Sequence, residues 1–189
     1  MADLATLSEY KAYMGINSTN NDTIVTILLA SVSKLVRTYC SRSFTEFYAT
    51  NKVELHDGGG IGLNLVELPI ISVASFEYST DGGSTYTPLT LYTDYVISAE
   101  HGVIRQAKGK PFAKSYNGYK VTYMAGYAIC PEDLKLAVFD LVTYYSRSDM
   151  AVKSTRLAGS VGSGTVEYVT TANFPSHIRR VLDMYRVGW

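Results

Sequence analysis

The chain has 189 residues, with 17 basic and 17 acidic side chains and a formal net charge of zero. That length suits one domain, or one core carrying an insertion, and can bury a sizeable interior. The balance of charge leaves no overall electrostatic footprint for nucleic acid.

In chain order, Thr6-Leu-Ser-Glu9 has capping-box spacing and opens a short helix that runs to about Met14. Gly15 is placed to end it in the left-handed conformation. Asn-Ser-Thr-Asn-Asn-Asp then makes a turn, and residues 22–41 follow as one long helix with Asp22 as its N-cap. Thr23, Thr26, Ser33, Lys34, Arg37 and Ser41 form a thin polar stripe, and most of the remaining circumference is apolar. A helix of that pattern is buried by several neighbours, so it is expected to be the scaffold of the molecule. No apolar run is expected to be long enough to span a bilayer.

After Phe44 the period changes from helical to alternating. Residues 44–128 are punctuated by DGGG (57–60), STDGG (79–83), EHG (100–102) and NG (117–118), which are turn signals at hairpin-like intervals. Strands are expected at 48–56, 62–67, 71–79, 95–97, 103–105 and 119–124, with Pro69 and Pro88 at bends or edges because proline cannot donate into a ladder. Many of the sixteen tyrosines fall here. Tyrosine fills strand faces, and it is also enriched in the cores of interfaces.

Helix resumes at Pro131, a residue favoured at the first helical position, and runs to about 149. Its apolar face holds Leu134, Ala137, Val138, Leu141, Val142 and Tyr145. The spacing pairs this face with the long helix, through Ile24, Leu28 and Leu35 on one side and Val138, Leu141 and Tyr145 on the other. Residues 151–173 lose periodicity and read as a Gly/Ser/Thr-rich flexible linker, or as strand ordered only by a partner. A last helix occupies 174–189, with Ile178, Val181, Leu182 and Tyr185 in one stripe, Arg179, Arg180 and Arg186 facing away, and Trp189 at the end. The expected class is therefore α+β: mainly a helical bundle, with residues 1–150 as one domain into which a β-rich segment is inserted.

No motif carries catalysis. His56, Asp57, Asp94 and His101 lie on scattered turns without metal-ligand spacing, and GGGIG (58–62) and GSVGSG (159–164) lead into no phosphate-binding helix. Cys40 and Cys130 lack CxxC spacing and read as reduced core residues. No catalytic residue, cofactor or metal is expected.

Four segments carry a resemblance. Residues 7–44, with Leu7, Ile16, Asp22, Ile24, Leu28, Tyr39 and Arg42, look like the start of the gp6-like head-tail connector (adaptor, or head completion) proteins of tailed bacteriophages. PEDLKLAVFDLVTYYSRS (131–148) is similar to the proline-led helix of that family, and FPSHIRRVLDMYR (174–186) resembles its C-terminal helix. DYVISAEHGVIR (94–105) is like the strand-turn-strand of its longer members. The long β segment departs from the smallest members.

The resemblance implies a virion protein that assembles as a ring, commonly of twelve copies, beneath the portal. Such a ring extends the DNA channel and presents a platform to the next neck or tail protein, a stopper or tail tube. Double-stranded DNA would pass through without specific binding, and no membrane would be involved. The last helix is the expected docking element, through Ile178, Arg179, Arg180, Val181, Leu182, Tyr185, Arg186 and Trp189. The alternatives are another neck component, such as a stopper or tail terminator, and a surface- or carbohydrate-binding module built on the Tyr-rich β segment.

Overall fold

The computed structural model describes residues 3–146, 154–157, 164–167 and 174–187. The chain forms two compact units, one from Ser41–Cys130 and the other from Asp3–Cys40 together with Pro131–Gly188.

The first unit is all β. Its strands are β1 (Lys52–His56), β2 (Gly62–Asn64), β3 (Ile70–Tyr78), β4 (Thr87–Pro88), β5 (Tyr95–Ser98), β6 (Val103–Gln106) and β7 (Tyr119–Ala125). They make two antiparallel sheets, ordered β1-β7-β3-β4 and β2-β6-β5. Pro88 sits in the edge strand β4, where a missing N–H costs least. Along β7, Tyr119, Val121, Tyr123 and Ala125 are buried and alternate with partly exposed Lys120, Thr122 and Met124. Leu63, Tyr95 and Ile104 from the three-stranded sheet join Phe76, Tyr119, Val121 and Tyr123 from the four-stranded one in a single core. Phe76 anchors it, with Tyr95 and Phe112 edge-on at 4.8 and 5.9 Å and Tyr119 stacked at 5.7 Å.

Strand β1 reverses the usual polarity. Lys52, Glu54 and His56 lie opposite Tyr123, Val121 and Tyr119 and so share their inward face, while Val53 and Leu55 point to solvent. The reversal has a local cause. The chain at Val66–Glu67 offers two backbone N–H groups with no strand to receive them. Glu54 Oε2 accepts one at 3.3 Å, and the Tyr123 hydroxyl accepts the other at 3.1 Å.

At the end of β7, Gly126 has φ of +102° and a Cβ there would lie 2.2 Å from the Phe44 carbonyl oxygen. The close approach lets Ala125, Gly126 and Tyr127 donate to Phe47, Pro69 and Phe44 respectively, at 2.8–2.9 Å. Only glycine meets both requirements.

The second unit carries the helices α1 (Leu7–Met14), α2 (Asp22–Cys40), α3 (Glu132–Ser146) and α4 (Ser176–Tyr185), with β8 (Ser154–Leu157) and β9 (Gly164–Glu167) paired antiparallel. The α1 capping box forms as the sequence indicates: Thr6 Oγ1 accepts from the Glu9 N–H at 3.3 Å and Glu9 Oε2 from the Thr6 N–H at 2.8 Å. Gly15 caps the other end with φ of 66°. Lys11 pairs with Asp22 at 2.8 Å, joining the end of α1 to the start of α2. Lys135 is 7% exposed and survives burial by pairing with Glu9 at 2.9 Å and Glu132 at 3.2 Å.

Several expectations change. The fold is α+β, but the β-sheets form a unit of their own, so the molecule is β-rich rather than mainly a helical bundle. α2 and α3 do pack, and Val138 and Leu141 are fully buried with Tyr145 partly so. The matching face of α2 is Leu29, Val32, Ser33, Val36 and Cys40. Ile24 and Leu35 are exposed, and Leu28 is half-buried. With apolar residues on most sides of α2, composition alone does not say which side meets α3. Ser33, counted as polar stripe, is buried because its Oγ accepts the Leu4 N–H at 3.0 Å. By length and composition α2 is also apolar enough to cross a bilayer, contrary to the reading of the sequence, although a core helix passes the same test. Cys40 and Cys130 are buried thiols, as expected. Most of the expected linker, residues 151–173, and also Trp189, lie outside the described residues; inside that stretch β8 pairs with β9.

Candidate functional site

The site expected on the last helix rests on how α4 is held. Ile178 is 2% exposed and Leu182 is fully buried, while Val181 and Tyr185 are half-buried. Ile178 and Leu182 therefore close the core of their own helical unit. An i, i+4 apolar pair satisfies an intramolecular groove as well as a foreign one.

Polar clamps fix the helix further. The Tyr185 hydroxyl donates to Asp133 Oδ1 at 2.6 Å, and the Tyr39 hydroxyl donates to Asp183 Oδ1 at 2.5 Å. The bond to Asp183 raises the Tyr39 hydroxyl above its ordinary pKa. Phe174 meets the Tyr39 ring edge-on at 5.0 Å, and the Val187 N–H donates to the Cys40 carbonyl at 3.3 Å. What α4 shows outward is largely cationic. Arg179, Arg180 and Arg186 are exposed, as is Met184. Arg179 Nε lies 3.7 Å from Asp183, and Arg186 stacks over Tyr39 at 5.6 Å. The roles of Tyr39 and Asp133 were not legible in the sequence, because nothing in their spacing separates a clamp from a surface residue.

Elsewhere the helical unit leaves apolar side chains uncovered. On α2, Ile24 and Ile27 are 59% and 61% exposed, and Leu35 is exposed beyond them. On α3 and α1, Leu136 and Tyr13 are exposed, with Tyr13 stacked on Phe139 at 5.1 Å and its hydroxyl 3.5 Å from Asp140.

In the β unit, a dense and largely buried polar cluster lies beneath β1. Lys52 Nζ lies 2.8 Å from Glu54 and 3.5 Å from Glu67, and Ser43 donates to Glu67 through its N–H and hydroxyl at 2.8 and 3.0 Å. Burial by itself would raise the Glu54 carboxyl. Hydrogen bonds from His56, Lys52 and Tyr123 outweigh it and hold the group at about 2. Burial, followed by the bond to Glu54, pushes the Tyr123 hydroxyl far above its ordinary value. These bonds tie Lys52, Glu54, His56, Glu67 and Tyr123 into one buried polar network.

Asp57, Asp94 and His101 each serve a turn, whereas His56, expected on one, ends β1 and faces Glu54 at 3.3 Å. Asp57 accepts the Asn117 N–H at 2.7 Å, Asp94 the Thr90 N–H at 2.8 Å, and His101 faces the Ser98 hydroxyl at 3.1 Å. Among the described residues no group of His, Cys, Asp and Glu could hold a metal ion.

Against this geometry stand the likenesses to other proteins. The model of the family described as "Head completion protein" matches residues 3–187, through both units. Solved structures of gene transfer agent particles share the fold. A chain in the "Neck of native GTA particle computed with C12 symmetry" superposes with a TM-score of 0.56 at 14% identity, covering 100% of this chain and 95% of that one. A chain in the "Virion of native gene transfer agent (GTA) particle" gives 0.58 at 13% identity, covering 98% and 91%. A chain in the "Neck of empty GTA particle computed with C6 symmetry" gives 0.56 at 14%, with the same coverage as the virion chain. No curated protein matches.

Proposed function

The chain belongs to the head completion protein family, and from that premise we propose that it is a structural protein of the neck of a phage-like particle. In this reading it is a head-tail adaptor: a ring, of twelve copies, seated beneath the portal, extending the DNA channel and presenting a platform to the next neck or tail protein. The observation that carries the reading is the span of the family match, which takes in the helical and the β unit alike. A carbohydrate-binding module resting on the β segment alone would not require the helices to belong to the same family. The fold shared with chains of neck reconstructions that carry C6 and C12 symmetry supports the ring.

The parts divide the work. The outward arginines of α4, Arg179, Arg180 and Arg186, orient the chain on an acidic portal surface, as rim charges do. Double-stranded DNA passes without specific binding, in keeping with a net charge of zero. The role is mechanical and calls for no catalytic step.

Complementation tests the reading. Particles assembled without this protein should hold portal-bearing heads that fail to join tails, and purified protein added to those heads should restore joining with twelvefold density below the portal. Particles that complete their tails in its absence would overturn it.

A further inference from the structure

The proposed ring needs a lateral contact, and α2 carries a surface of that kind which its own unit does not use. Ile24, Leu28, Ser31, Leu35 and Thr38 follow one another at spacings of four, three, four and three, the seam of a helix that meets another helix. Its apolar side chains are Ile24, Leu28 and Leu35, and the small Ser31 between them lets a neighbouring helix approach closely. This seam lies roughly 130° around the helix from the buried face of Leu29, Val32, Ser33, Val36 and Cys40. It is a second face rather than the margin of the first. Ile24, on the seam, and Ile27, at its edge, are the most exposed large apolar residues on the helix.

The same unit carries a surface that fits it. One row of α3 is Glu132, Leu136 and Asp140, an exposed apolar side chain between an exposed acid and a half-buried one whose carboxylate faces the Tyr13 hydroxyl at 3.5 Å. The sole base of α3, Lys135, is turned inward onto Glu9 and Glu132. After Asp22, α2 has no acid, and exposed Lys34 stands beside its seam. A basic-edged apolar seam and an acidic-edged apolar row on different faces of one chain are what a head-to-tail contact between copies requires, and such a contact builds a ring where the rotation between copies closes.

We propose that the α2 seam of each copy seats the outward face of α3 from the next copy, with Leu136 against the seam and the acidic row, Asp140 foremost, facing Lys34. The inference rests on the ring reading above and names the contact that builds the ring.

Cysteine pairs test it in full-length protein assembled on portal-bearing heads. Ile27→Cys and Leu136→Cys are made singly and together, and treated with a short bis-maleimide; the native cysteines are buried. The double variant should give a ladder of multimers, and a mixture of the two single variants should stop at dimers. Dimers from Ile27→Cys alone would overturn the proposal, because they require the seam to face itself. Twelvefold density with no ladder would also overturn it while leaving the ring reading intact, whereas heads that acquire no ring from wild-type protein would remove both. A charge arm is independent: Lys34→Glu should lower ring occupancy on the heads about tenfold, and adding Asp140→Lys to the same chain should restore it. Free protein that floats with phosphatidylglycerol vesicles through Ile24 and Ile27, without forming a ladder on heads, would assign the seam to a lipid surface and overturn the proposal.

Discussion

The Tyr123 hydroxyl donates to Glu54 Oε1 at 2.6 Å from β7 to β1 and at the same time accepts the Glu67 N–H at 3.1 Å. One phenol thus satisfies a buried carboxylate and a buried backbone donor that no strand reaches. Tyr123→Phe keeps the ring and removes both bonds, so it should cost about 1–3 kcal/mol, the desolvation of groups left unpaired. Urea denaturation should show a lower midpoint with an unchanged slope. An unchanged midpoint would mean that the network contributes nothing to stability.

The same network makes stability depend on acid. The Glu54 carboxyl is held at about 2, below its ordinary value of 4.5. A depressed carboxyl contributes stability that is full above the unfolded value and is lost as pH falls through the folded one. Glu54→Gln should therefore be less stable than wild type by roughly 3 kcal/mol at pH 7. The gap should close between about pH 4.5 and pH 2, as paired urea melts across that range would show. A gap that stays constant with pH would place the effect in packing.

Truncations on opposite sides of α2 should differ sharply. Leu29 is 1% exposed, and Leu29→Ala should cost about 2–5 kcal/mol. Ile24→Ala, on the exposed seam, should fall within about 1 kcal/mol of wild type in the free protein. Thermal melting of the two variants decides. Equal losses would put both side chains in one core and leave no uncovered face.

Gly126 offers a test of backbone geometry. Alanine there would meet the Phe44 carbonyl and adopt a conformation that L-residues rarely take. Gly126→Ala should destabilise the β unit by about 1–3 kcal/mol or more. Near-ultraviolet circular dichroism of the tyrosine-rich core should report the loss at a lower temperature than in wild type.

Local signals carried most of what the sequence revealed. The capping box at Thr6 and Glu9, the Gly15 cap and the turns at 79–83 and 100–102 are each determined within a few residues, and they appear in the structure where the pattern puts them; DGGG (57–60) and NG (117–118) are turns that close no hairpin. The direction in which a helix faces is not local. α2 has apolar residues on two separate faces, so choosing Leu29, Val32 and Val36 over Ile24, Leu28 and Leu35 needed the positions of Leu4 and α3. The groove that takes the last helix was illegible for a related reason, since Ile178 and Leu182 look alike whether that groove belongs to the same chain or to another. The inverted strand β1 was illegible because its inward Glu54 answers the backbone donor at Val66, twelve residues away, and the Tyr123 hydroxyl, 69 residues away.

The helical unit is split in sequence, with Asp3–Cys40 before the β unit and Pro131–Gly188 after it. Its assembly during translation follows from that order. When α2 leaves the ribosome, the residues of α3 that cover Leu29, Val32 and Val36 have not been made, and the whole β unit must be synthesised first. At roughly 5–20 residues per second this leaves both apolar faces of α2 uncovered for about 5–20 s. The β unit, contiguous in the chain, can fold within that interval. The helical unit closes last, so a nascent chain presents α2 to chaperones, and to other nascent copies, before it has the partner helix that completes its own core.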